Sequence, residues 1–185
     1  MNINFTQIKN RAERKKVQGL YNASVPKHEK AYFYPLWWKR KRNGISFVSI
    51  CDDSKWVGFI FYSICEDLIY IWFFATLDSR TSKAYDAAML AKLQDMHPQH
   101  RIAISIEAEN ESSDNAEKSL AEKMFYKGAS FAETGYFVRR KTDSFEIMLA
   151  GSSFDIDELY RVNKAVYPFL SKFIIADMKK QIKKR

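Results

Sequence analysis

Apolar and polar positions alternate with two periods along this chain. A period of two residues runs through Ile3–Ile8 (INFTQI) and Arg101–Glu107 (RIAISIE), which predicts half-buried strands. Three longer apolar runs, Ile45–Cys51, Trp56–Ile64 and Leu68–Thr76, are of strand length. Only the short segments CDDSK and CED separate them, so an antiparallel meander is expected. Ser130–Arg139 and Ser144–Ala150 read as a closing hairpin. Helical spacing marks Arg11–Ala23, with Val17, Leu20 and Tyr21 on one face, and Ser82–Met96. Ala31–Arg42 is expected to turn helical near Pro35 and to end at Asn43-Gly44. Asp114 caps a predicted helix to Lys127, with Leu120, Met124 and Phe125 as its buried side. Asp155–Asn163 is another helix. From Val166 to Arg185 a basic amphipathic helix is expected, broken near Pro168.

A chain of 185 residues suits one domain, here residues 1–151, with a helical extension and basic tail at 152–185. The net charge of +8 raises the question of nucleic acid, and its location answers it. Residues 171–185 hold six positive side chains and one negative, or +5, which leaves +3 for the other 170 residues. Most of the excess belongs to the tail, so nucleic acid is not the expected partner. The tail's apolar face (Phe169, Leu170, Phe173, Ile174) calls for a protein surface, its own domain or a homodimer partner. No apolar run reaches the roughly 18–20 residues of a spanning helix, and the start MNINFTQIKNRAERKK has no apolar signal core. Cys51 and Cys65 have no metal-ligand spacing, no metal is expected, and a cytoplasmic location follows.

The segment Tyr70–Leu93 (YIWFFATLDSRTSKAYDAAMLAKL) carries the chemistry. A strand feeds a helix through a short polar loop, so backbone N–H groups and the positive helix end converge on one spot suited to an anion. The bland alternative is a capped helix in which Asp86 interacts with the dipole of the first turn. Tyr32, Phe33, Tyr34, Trp37 and Trp38, with Lys39–Arg42 behind them, allow three readings: a core helix with a basic end, a stacking surface, or the wall of a pocket.

Several motifs, in order, resemble the GNAT N-acetyltransferase superfamily, especially its small Gram-positive bacterial members. Val25-Pro26-Lys27-His28-Glu29 is similar to the family's FP-x-x-E segment, and Phe74-Ala75-Thr76 to its F-A-I strand end. Thr81-Ser82-Lys83-Ala84-Tyr85-Asp86 aligns with R-G-K-G-Y-G. Asp114-Asn115, Phe125-Tyr126 and Ser130-Phe131 align with a later D-N, F-Y and G-F block. The resemblance implies an α+β GNAT-like fold, a mixed, mostly antiparallel sheet of about six to seven strands flanked by helices. It also implies acetyl-CoA as co-substrate, with Phe74, Ala75 and Thr76 lending backbone groups to the pantetheine arm. Thr81, Ser82, Lys83, Ala84, Tyr85, Asp86 and Asn115 then lie on the cofactor side. The loop departs from the family where Ala84 and Asp86 replace glycines and Thr81 replaces a basic or amide residue.

By the same resemblance Tyr126 is the acid that protonates the CoA thiolate, and Glu107, at the end of RIAISIE, is the candidate base for the amine. Glu29 and Trp37 fall on the acceptor side. The expected function is acetyl transfer from acetyl-CoA to a primary amine of a small molecule or peptide, by direct transfer. The alternative is a degenerate GNAT-like binding module with weak or no CoA affinity.

Overall fold

A computed structural model describes residues 1–26, 31–77, 82–108, 116–140, 143–168 and 182–184. The chain divides into two compact units, Met1–Ser63 with Ile71–Pro98, and Ile64–Tyr70 with Gln99–Arg185.

In the first unit β1 (Ile3–Gln7), β2 (Ile45–Asp52), β3 (Lys55–Cys65) and β4 (Leu68–Thr76) are hydrogen-bonded in that order. β1 and β2 are antiparallel, as are β2 and β3, so the predicted meander forms. Its turns are tight because Asp53 (φ 50°) and Glu66 (φ 55°) take left-handed backbone conformations. Helix α1 (Arg11–Ser24) begins at Asn10, whose side chain accepts from Glu13 N. Helix α3 (Ser82–Met96) has the predicted bounds. Helix α2 (Phe33–Lys39) begins two residues before Pro35, where helix was expected to start, and ends before the predicted Arg42. Beyond Lys39 the chain tightens into a turn, with Arg42 N donating to Lys39 O at 2.9 Å and Gly44 at φ 74°. The core is aromatic: Tyr21, Phe33, Phe47 and Phe59 pack with ring centroids 5.6–6.0 Å apart. The Tyr21 hydroxyl donates to Ala31 O and accepts from Ala31 N, which ties α1 to the start of α2.

In the second unit the order runs from the first residues of β4, Leu68–Tyr70, through β5 (Arg101–Glu107), β7 (Asp143–Ala150), β6 (Ala132–Arg140) and β8 (Ile182–Lys184). β7 is antiparallel to both β5 and β6. Helix α5 (Ile156–Val166) starts with a capping box, Asp155 and Glu158 each serving the other's backbone N–H. The Arg101 guanidinium binds Asp67 through two bonds and reaches Glu158 and Ser153 O, so β5, the β3–β4 turn and α5 meet at one side chain.

Two expectations about this unit change. Helix α4 (Ala116–Gly128) does not bury Leu120 and Met124, which are exposed; Ser119 and Tyr126 are buried instead. A charged residue takes the inward row because its charge is met there: Lys123 binds Glu133 on β6 and the buried Glu146 on β7, the latter at 2.9 Å. The tail also differs. Helix was expected through Arg185, yet Ile182–Lys184 is a strand paired with Tyr136–Val138. A short strand satisfies backbone groups on the β6 edge that a helix would leave open. Residues 169–181, the main part of the predicted dimer helix, lie outside the described residues.

α4 ends in a Schellman motif. Phe131 N donates to Tyr126 O at 3.0 Å and Ser130 N to Lys127 O at 3.1 Å, while Ser130 sits at φ 67°. This is a position for glycine, occupied by serine. Ser130→Gly should therefore raise the unfolding free energy by about 1 kcal/mol in urea denaturation, without altering the α4 helix signal.

Candidate functional site

Thr76, the last residue of β4, and the start of α3 are joined directly. Thr76 Oγ1 donates to Asp86 Oδ1 at 2.7 Å. Asp86 is the fifth residue of the helix, beyond the first turn, so it is not the first-turn acid of the bland alternative. Its carboxylate is half-buried against the strand end. Burial pushes its pKa up, and the Thr76 hydrogen bond partly offsets that. Tyr85 OH reaches Asp52 Oδ2 at 3.3 Å, a second tie from α3 to the sheet. Ala84 and Lys83 are exposed, so the methyl group that replaces hydrogen at Ala84 points into no packed cradle.

The end of β4 is also set from β3. A Cβ on Gly58 would collide with the carbonyl oxygen of Ala75 and come within 3.0 Å of Thr76 Cα. Leu77 N then donates to Val57 O at 2.8 Å. A lone glycine inside the bulky run KWVGFIFYSIC signals such a close approach of backbone, and that signal was available in the sequence. Phe74 and Thr76 are half-buried and Ala75 is buried, so the stretch that resembles the pantetheine strand is held firmly.

In the second unit Tyr126 is buried, 2 % exposed, with its ring edge-on to Phe131 and Phe125 at 5.5 and 5.3 Å. As the residue whose carbonyl closes the Schellman motif, it is fixed in backbone as well as side chain. Glu107 ends β5, half-buried and opposite Phe145 on β7. α4 packs on β5, so the two candidate residues stand on adjoining elements. Trp37 is buried on α2, stacked with Phe33 at 13° and edge-on to Phe47. Glu29, Thr81 and Asn115 lie outside the described residues. No cluster of three potential metal-ligating side chains occurs among the described residues. None of their helices is long and apolar enough to cross a membrane.

No family model matches the chain, and neither does any curated protein. Solved structures do. A protein described as a GNAT-family acetyltransferase from Bacteroides thetaiotaomicron superposes with a TM-score of 0.70 at 18% identity, over 91% of this chain and 98% of that one. That decides the fold. It is the GNAT N-acetyltransferase fold. The aminoglycoside 6'-N-acetyltransferase of Enterococcus faecium matches at TM-score 0.63 and 12% identity, over 84% of this chain and all of that one. The spermidine N-acetyltransferase of Vibrio cholerae, solved with CoA and spermine, matches at 0.58 and 11%, over 80% and 94%.

Asp86 yields a prediction with a definite sign. An acid whose pKa is raised on folding stabilises the fold while protonated and loses that contribution as pH rises through its folded-state pKa. Asp86→Asn keeps an oxygen acceptor for Thr76 without the charge. Its stability relative to the parent should increase between about pH 3 and pH 7, measured as the difference in thermal midpoints across that range.

Proposed function

We propose that the protein is a CoA-dependent N-acetyltransferase acting on a primary amine. The supporting observation is the Thr76–Asp86 bond. Asp86 was the residue most at odds with a phosphate at the start of α3, and its carboxylate is engaged by the strand end. Lys83 stays exposed beside it. The strand end at Phe74–Thr76 would hold the pantetheine arm, and Ser82–Tyr85 would face the phosphates. That several solved neighbours are acetyltransferases of amines, one of them complexed with coenzyme A, supports the same reading.

In this reading the neutral amine attacks the thioester carbonyl carbon. A C–N bond forms, the C–S bond breaks, and the sulfur leaves with the electron pair. Tyr126 supplies the proton to that sulfur, since a phenol with a pKa near ~10 can protonate a thiolate as it forms. Glu107 takes the proton the amine gives up, directly or through water. The fixed placement of Tyr126 suits a proton donor. Its burial favours the second reading, a GNAT-like binding module without turnover. The acceptor would be a small-molecule or peptide amine in the cytoplasm.

Isothermal calorimetry with acetyl-CoA separates the readings. Micromolar affinity is expected, and no heat at millimolar ligand would sink the enzyme. If binding is seen, Tyr126→Phe should lower kcat by roughly a hundredfold or more while leaving the acetyl-CoA Kd within about twofold of the parent. Equal turnover by the two would remove Tyr126 as the acid.

A further inference from the structure

Two arginines face one tryptophan in the first unit. The Arg40 guanidinium lies 3.5 Å from the Trp37 ring centroid, and that of Arg14, on α1, lies 5.7 Å from it. Arg40 spends one N–H on Trp37 O at 2.8 Å. The Arg14 Nε is buried with no hydrogen-bond partner. Among the described residues no carboxylate pairs with either guanidinium, although Arg14 on α1 and Arg40, just past the end of α2, lie against the same ring. Burial, and then the charge of Arg14, press the Arg40 pKa down. The adjoining Lys39 is held down to about 8 by burial and by Arg42. Positive charge is gathered here, and the buried Arg14 Nε is unused.

Two like charges over one ring repel, and a buried N–H left without an acceptor costs free energy. One anion placed between the guanidiniums would relieve both, through the charge-assisted bonds that arginine forks make with planar or tetrahedral oxyanions. We propose that Arg14 and Arg40, set by Trp37, form a binding site for the carboxylate or phosphate of a small molecule. Resting on the acetyl-transfer reading, that group belongs to the amine acceptor, so the preferred acceptor carries an anion as well as its amine. A polycation would meet repulsion at this site, and the Trp37 face, covered by Arg40, is not open to a substrate cation.

Inorganic phosphate is the probe. Thermal melts are recorded against phosphate concentration, with chloride balancing ionic strength. The parent should show a saturable rise in midpoint. In Arg14→Gln and in Arg40→Gln the half-saturating phosphate should increase at least tenfold. Arg14 is half-exposed on its helix, so Arg14→Gln decides the matter even where loss of the Arg40 stack disturbs folding. Absence of a saturable rise in the parent, or an unchanged rise in Arg14→Gln, overturns the site. Repeating the titration in saturating acetyl-CoA tells the two sources of anion apart. A phosphate effect that persists assigns the site to the acceptor. One that vanishes gives it to a CoA phosphate and overturns the acceptor assignment. If acetyl-CoA does not bind at all, the acetyl-transfer reading fails on that result, and the phosphate titration alone still decides the anion site.

Discussion

The close approach of β4 to β3 at Gly58 is the constraint from which the candidate site follows. Only a residue without a Cβ lets the Ala75 carbonyl and Thr76 Cα lie where they do. With the strand end set there, Thr76 can reach forward to Asp86, and α3 is fastened at its fifth residue instead of by its first turn. The helix start is left to Lys83 and Ala84, both facing solvent. The missing Cβ of Gly58 in β3 thus sets where the β4 end lies.

Elsewhere the protein relies on charges that are buried only where they are paired. Arg101 gathers Asp67, Glu158 and a backbone carbonyl, and its guanidinium holds the Asp67 and Glu158 carboxyls below the usual range. Lys123 gathers Glu133 and Glu146 and holds the Glu133 carboxyl below the usual range, while its own pKa is raised. Removing one member of such a set leaves an uncompensated charge, so these are points of high cost for the second unit. Against this background the Arg14–Arg40 pair stands out, since neither guanidinium meets an acid among the described residues.

The sheet was legible in the sequence because its signals are local. Leu68–Thr76 and Arg101–Glu107 are strands with the predicted bounds, since a run of β-branched and aromatic residues between turn residues has few other uses. Helix faces were less legible where polar groups turn inward. The α4 stripe was misread because Lys123 is drawn in by two glutamates far along the chain, which no period of hydrophobicity records. The tail was misread in the same way: Ile182–Lys184 has helical spacing with its neighbours, but pairing with β6 overrides it. At the site, the location of the strand–loop–helix was legible and the role of Asp86 was not, because its partner Thr76 is a tertiary contact.

In the proposed reading the β4 end and the α3 start together receive acetyl-CoA. Amide chemical shifts recorded during an acetyl-CoA titration test it at residue level. Saturable shifts should appear at Phe74–Thr76 and Ser82–Tyr85 with one common midpoint. An unchanged spectrum at millimolar acetyl-CoA, or saturable shifts that leave both stretches untouched, would contradict the account.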